Sequence, residues 1–410
     1  MSTLLNWLRL RVERVYESIA FWPTVLAVAF VALAVFLRGF RARVLFEVVD
    51  ETLPFLLVRD RAVSLALLTT LVGGLISLMV FSFSMVMVLL SNATANLTPR
   101  LLPSLVGSTR HQVVLGVYLG TILYCVVIAM AFGLDGDGGR PPSASLSLAV
   151  LFGIACLALF IYFIHSVSQS IQVGVVLRNA HRRTRRSLDE LLARQRDRPG
   201  EDYPDTGDWV AVPAWRSDFV DGISEAQLAA FAKTHDTRLA LDLEPGRYVV
   251  AGEPIAYLAP GSALGEGPLR ELRAGVYFGV RTDAADYYGA GVERIVEVAL
   301  KALSPGVNDP GTAVVAIEYL REVFTAATAL RPVLTTADEA GVARVYHRLP
   351  TWRELLTRHL RSFRQYGADD PMTQDALRRL RRSVVARLRR EGRRGEAVAT
   401  EGIFAGAGVG

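Results

Sequence analysis

Two groups of residues in this chain have the types and spacing to do chemistry. The first is a row of hydroxyls, Thr70, Ser77, Ser84, Ser91 and Thr98, spaced seven apart without interruption. A seven-residue repeat drifts by only about 20° per step on a helix, so these side chains form one slowly winding stripe. Asn92 and Asn96 add two amides one turn apart. Such a stripe could line a water-filled path repeated around the axis of an oligomer. It could also let membrane helices approach closely and hydrogen-bond across the contact. His165, Gln169 and Gln172 make a shorter polar face at i, i+4 and i+7. A histidine there is suited to respond to protons or meet an ion, or simply to pack one helix on another.

The second group surrounds ALSPGVNDPGTA, residues 302–313. Pro305 ends a helix running from about Val292, and Gly306 supplies a permissive turn. Asp309 followed by Pro310 reads as an N-cap and a first helical position. The stretch is therefore a tight corner between two helices, with Ser304, Asn308 and Asp309 as candidate site residues. Free N–H groups beyond Asp309 could hold an anion, in competition with the Asp309 carboxylate. Arg281 and Arg294 are the nearest residues in sequence to neutralise it, and an enzyme here would draw on Arg281, Asp283 and Asp286. No GxxxxGK, HExxH, GxSxG or CxxC is present. The expectation is a protein without catalytic residues, metal or cofactor. LDGDGG, 134–139, lacks the further ligands of a calcium loop and reads as a polar turn. Cys125 and Cys156 both sit in apolar runs and read as inert core thiols.

These residues need elements to hold them. Half of the 410 residues are hydrophobic, and the excess gathers toward the N-terminus. Four apolar segments are long enough to span a bilayer: 21–37, 62–90, 113–132 and 146–176. Arg38, Arg41 and Arg43 follow the first, where a cleaved leader would show small residues. Arg counts on the two sides favour cytoplasmic N- and C-termini, although the first loop is itself rich in Arg.

The predicted layout is mainly α. A four-helix transmembrane domain, 1–186, leads through a charged helix and linker, 187–208, into a cytoplasmic α+β domain. Within that domain 209–275 form a small β-barrel-like module, and 276–333 a helix–corner–helix containing SPGVNDP. The remaining 334–410 form a helical, Arg-rich C-terminal region with a disordered tail. Ser224 is the expected N-cap of SEAQLAAFAKTH. EPGRYVVAGEPIAYL, 244–258, resembles the folded edge of barrel-sandwich-hybrid domains. LAPGSALG follows without the lysine that would carry biotin or lipoate, so a structural module is expected. LRRLRRSVVARLRREGRR places Leu377, Leu380, Val384 and Leu388 on one apolar strip. The net charge of +5 and this strip favour anionic lipid or a partner subunit over nucleic acid.

Several stretches together resemble a bacterial inner-membrane family catalogued as domain-of-unknown-function family twenty-two fifty-four. They are SFSMVMVLLSNATANLTPRLLPSLV, VVLGVYLGTILYCVV, PGRYVVAGEPIAYL and RTDAADYYGAGVERIVEVALKALSPGVNDPGTA, in that order. Relatives carry a glutamine before the aspartate that follows RT, and an aromatic after NDP. This chain has Ala285 and Gly311 there. The resemblance implies four spans and a cytoplasmic domain, and no established activity. The stripe then favours a homo-oligomeric channel or transport protein of the bacterial inner membrane, embedded in the lipid bilayer. A membrane-anchored sensor or scaffold with a ligand-binding cytoplasmic domain is the alternative.

Overall fold

The computed structural model describes residues 20–39, 60–96, 109–134, 143–170, 172–196, 201–261, 265–279 and 287–406. Its contacts separate an N-terminal unit, Met1–Ala95 with Pro99–Gln172, from a C-terminal unit, Val173–Gly410 with Asn96–Thr98.

In the N-terminal unit the apolar runs become helices α1 (Phe21–Gly39), α2 (Arg61–Asn96), α3 (Thr109–Leu134) and α4 (Ser143–Ser170). Three of these can cross a membrane, over Arg61–Val88, His111–Ala131 and Ser145–Ser166. The expected fourth span does not reach that length. The apolar part of α1 is Phe21–Leu37, about 26 Å at 1.5 Å per residue against a hydrocarbon core of about 30 Å. Instead α1 lies along α3, where Gly116 and Gly120 form a Gly-x-x-x-Gly pair. A Cβ on Gly116 would sit 2.7 Å from Leu26 Cδ1, and one on Gly120 would sit 2.8 Å from Phe30 Cγ. Small residues at that spacing let backbones close on each other, as membrane helices require. Ala34, Leu68, Tyr124, Cys125, Ile128, Leu146 and Ala149 make one core, and Tyr124 Oη donates to Ser145 O at 3.0 Å. Leu75, Val114, Tyr118, Ile122, Cys156 and Phe163 make a second. Both cysteines are buried and free.

The C-terminal unit begins with α5 (Val173–Arg196), continues through β1 (Val210–Pro213) and β2 (Asp218–Ile223), and reaches α6 (Glu225–Thr234). Ser224 Oγ accepts from Gln227 N and caps α6, as its position before the apolar period predicts. Then come β3 (Leu239–Leu241), β4 (Tyr248–Val249), β5 (Pro254–Leu258), α7 (Glu266–Arg273) and β6 (Val276–Phe278). The β-rich stretch does not close into a barrel of its own. Its strands divide between a three-stranded sheet, β4-β2-β6, and one edge of a five-stranded sheet. That larger sheet is completed by β7 (Val333–Ala337) and β8 (Ala343–Arg348), in the order β1-β5-β3-β8-β7. Val333–Arg348 was expected among helices. Its VLTTA and ARVYHR runs instead pair as an antiparallel hairpin, as β-branched and aromatic residues favour. β8 then lies parallel to β3, with Leu241 opposite His347. Leu228, Phe231, Leu239, Leu241, Ala256, Leu258 and Val345 fill the core beneath this sheet.

The helical layer consists of α8 (Tyr288–Leu303), α9 (Pro310–Ala327), α10 (Trp352–Gly367), α11 (Pro371–Arg390) and α12 (Arg394–Gly406). α8 packs on α5 and α9, and α9 packs on α11. Gly291 makes the α5–α8 approach possible, since a Cβ there would sit 2.1 Å from Thr184 Oγ1. The end of α5 is tied to the sheet edge through Gln195. Its side-chain amide donates to Arg331 O and Val333 O, each at 3.0 Å, and its oxygen accepts from Arg331 N at 2.9 Å. In α11, Leu377, Leu380, Val384 and Leu388 are buried inside the unit, so this strip is already covered by protein. Its Arg379 meets Glu318 on α9 at 2.6 Å, and Arg387 meets Glu391 at 2.7 Å. The tail expected to be disordered ends at 407–410, outside the described residues.

Candidate functional site

The stripe on α2 faces outward. Thr70, Ser77, Ser84 and Ser91 are all exposed, and none is buried between helices of the same chain. Thr70 Oγ1 donates to Ala66 O at 2.7 Å and Ser77 Oγ to Gly73 O at 3.0 Å. These hydroxyls satisfy themselves on their own helix. His165 is exposed on α4. Thr98, Arg281, Asp283 and Asp286 lie outside the described residues, as do the side chains of Asn92, Asn96 and Gln169. Polar residues buried among the spans include Ser64, Ser82, His111, Gln112, Tyr118, Thr121, Ser145, Ser147 and Cys156, with Cys156 Sγ at 3.5 Å from Thr121 Oγ1. Their spacing carries no period, so nothing in the sequence singled them out.

The SPGVNDP stretch is a closed corner. Ser304 Oγ donates to Lys301 O at 2.6 Å, Asn308 N to Ser304 O at 2.9 Å, and Asp309 N to Ala302 O at 2.8 Å. The left-handed residue is Asn308, at φ 47°, rather than Gly306. Asparagine tolerates that region because its short side chain bonds locally. Asp309 caps α9: Thr312 donates its N–H at 3.1 Å and its hydroxyl at 2.6 Å. These two bonds hold the Asp309 carboxyl below its ordinary range. Both carboxylate oxygens are thereby used on the cap.

Of the cavities in the C-terminal unit, a larger one of about 1070 Å³ lies between α5, α9 and α11, and a smaller one lies at the opposite end of α8. This smaller cavity, of about 570 Å³, is enclosed by three segments. Asp242, Glu244, Pro245, Gly246 and Arg247 come from the β3–β4 turn, where Gly246 takes φ 90°. Tyr287, Gly289, Ala290 and Glu293 come from the start of α8. Arg348, Pro350, Glu354 and Arg358 come from the end of β8 and from α10. PGR and YYGAGVE belong to two of the stretches that carry the family resemblance, and the fold brings them together here.

The lining is polar and crowded with charge. Arg348 lies 3.2 Å from Glu354 and 4.0 Å from Asp242, and Arg358 lies 3.7 Å from Glu293. Arg247 pairs with Glu253 and donates to Asp242 O at 3.3 Å. The Glu244 carboxyl has no hydrogen bond or ion pair among the described residues. Burial pushes it above the ordinary carboxylate range, against the pull of Arg358, and Glu293 and Glu354 add to the rise. Tyr287 Oη is buried without a partner, and burial raises the phenol well above its usual value. Tyr288 instead donates to Pro350 O. On α10, burial lowers His359 to about 4, and its Nε2 is buried without a partner. No group of three or more His, Cys, Asp or Glu able to hold a metal occurs among the described residues.

Next to the cavity is a buried ionic cluster that the sequence did not announce. Glu225, at the start of α6, accepts from His347 Nδ1 at 3.0 Å, from Thr336 Oγ1 at 3.2 Å and from Arg194 of α5. His347 Nε2 reaches Leu243 O at 2.8 Å. Leu243 stands between the cavity residues Asp242 and Glu244, and His347 precedes the cavity residue Arg348. Burial raises the Glu225 carboxyl, but His347 and Arg194 outweigh it and bring the group to about 2.

A family model described as "Predicted membrane protein (DUF2254)" matches residues 16–383. An uncharacterised protein of Mycobacterium tuberculosis (strain CDC 1551 / Oshkosh) is 28% identical over 312 residues, covering 74% of this chain and 60% of the relative. An uncharacterised protein of Mycobacterium bovis (strain ATCC BAA-935 / AF2122/97) is 27% identical over the same shares. The chain thus spans less than two thirds of the length of the curated relatives it matches. No solved structure matches it.

Proposed function

The chain belongs to the DUF2254 family of predicted membrane proteins, and from that premise we propose a membrane-anchored binding protein. Its C-terminal unit holds a small polar ligand in the cavity between the β3–β4 turn, α8 and α10, and does not turn it over. The observation that carries this reading is Tyr287 Oη, buried on the wall without a hydrogen-bond partner among the described residues, with the Glu244 carboxyl, raised by burial, on the same wall. Buried polar groups in native proteins are nearly always hydrogen-bonded, and a concave site with convergent polar groups is where a ligand supplies the missing partners. The Arg distribution supports insertion in the bacterial inner membrane with both termini cytoplasmic. The test is a thermal-shift screen of the detergent-purified full chain against polar metabolites. A hit that raises the unfolding temperature of wild type but not of Tyr287→Phe supports the reading. Hits that act equally on both proteins would remove it.

A second reading rests on the outward stripe of Thr70, Ser77, Ser84 and Ser91. We place it second because Thr70 and Ser77 hydroxyls are satisfied within α2 and do not need water. In this reading several copies meet along α2 and form a channel, in contact with anionic lipid through exposed Arg. Ser77→Cys and Ser84→Cys variants in membranes would then cross-link between copies on oxidation, and liposomes would pass ions. Monomeric, non-conducting protein would eliminate it.

A further inference from the structure

We infer that the ligand of the C-terminal cavity is a small organic ammonium ion, a primary amine received by Glu244 and Tyr287. The inference rests on the binding reading above and names the chemistry of that site.

The argument is one of unmatched partners. Four carboxyls and three guanidiniums line the cavity. Each guanidinium is already engaged: Arg348 by Glu354 and Asp242, Arg358 by Glu293, and Arg247 by Glu253 outside the lining. Glu244 is the carboxyl left over: Arg358 and Arg247 act on it from a distance, and among the described residues no base stands within ion-pair distance of it. Beside this unmatched acid the wall presents Tyr287 Oη, buried and unpartnered. Both groups can accept a hydrogen bond, and their missing counterpart is a donor that carries positive charge. A protonated primary amine has three N–H donors and no acceptor. It can give one to Glu244 and one to Tyr287, leaving the third for another oxygen of the wall. A metal ion fits less well, because no three donor side chains converge among the described residues. An inorganic anion would meet the uncapped start of α8 at Gly289 and Ala290, but it would also face an excess of carboxyl groups.

Burial holds Glu244 above the ordinary carboxylate range. An ammonium ion beside it would favour the ionised form.

The experiment uses the detergent-purified full chain with putrescine as the probe, inorganic phosphate as the anion arm and magnesium as the metal arm. Putrescine is expected to raise the unfolding temperature of wild type. Glu244→Gln should weaken it at least tenfold and Tyr287→Phe severalfold, read from the putrescine concentration needed to raise the unfolding temperature. Each variant's own unfolding temperature without ligand reports whether it folds. Should either variant fail to fold, Glu244→Asp, which keeps the charge and withdraws it, must weaken putrescine without abolishing binding. Phosphate or magnesium protecting the protein while putrescine does not would overturn the ammonium assignment and leave the binding reading standing. Silence with all three probes overturns the assignment too. The binding reading then falls only if the wider metabolite screen finds no Tyr287-dependent hit.

Discussion

Replacing Glu225 by Gln isolates the ionic cluster that joins α5, α6 and β8. The side chain is 13% exposed and has His347, Arg194 and Thr336 as partners. Gln keeps the size and one acceptor oxygen but removes the charge that His347 and Arg194 share. The carboxyl falls from 4.5 to about 2 in the folded chain. At 1.36 kcal/mol per unit this is worth about 3 kcal/mol. Because the folded value is depressed, the contribution is complete above the unfolded value near 4.5 and fades as pH drops toward 2. The expected outcome at pH 7 is therefore a C-terminal unit less stable by about 3 kcal/mol. Urea unfolding in detergent reports it through the fluorescence of Trp209, Trp215 and Trp352, all within that unit. The gap between variant and wild type should close as the pH is taken from 6 toward 3. A loss below about 1 kcal/mol at pH 7, the size of an exposed pair, would refute the account. So would a gap that is independent of pH.

Other packing claims are as open to test. Gly291→Ala places a Cβ 2.1 Å from Thr184 Oγ1, so overpacking should cost about 1–3 kcal/mol; the same urea titration should show most of it recovered with Thr184→Ala added. Gly120→Val on α3 drives a side chain into Phe30 and should loosen α1, seen as faster proteolysis near Phe21–Gly39 while α2 and α4 stay protected. Asp309→Ala should remove the α9 cap at about 1 kcal/mol, and Asp309→Asn, which can still accept from Thr312, should lose less. If instead Asp309→Ala abolished the putrescine effect, the corner and the cavity would be one site.

How far the sequence reached can be followed residue by residue. The SPGVNDP corner was legible because its causes are local: a proline, a short polar cap and a residue willing to take positive φ. Even so, the left-handed position fell on Asn308 instead of Gly306, since the bonds of Ser304 O and Ala302 O decide which residue must turn. The apolar runs announced membrane helices, and among the described residues three are long and apolar enough to cross. The fourth, α1, has a shorter apolar part, Phe21–Leu37, and closes on α3 through Gly116 and Gly120, whose spacing could have been noticed. The hydroxyl period on α2 was legible as a period. Its direction was not, because an outward and an inward stripe have the same spacing.

By itself the sequence determined what depends on neighbours along the chain: membrane residence, helix starts and stops, the capped corner, the family. The tertiary structure decided which distant segments meet. Val333–Arg348 joined β3 to complete a sheet, because a strand stabilises itself only through a partner that may lie a hundred residues away. That pairing set His347 against Leu243 and Glu225, and it carried Arg348 to the cavity rim opposite Tyr287 and Glu244. The raised Glu244 carboxyl and the unpartnered Tyr287 Oη come from burial and from the groups the fold sets around them. Both are properties of three-dimensional surroundings that no spacing along the chain encodes.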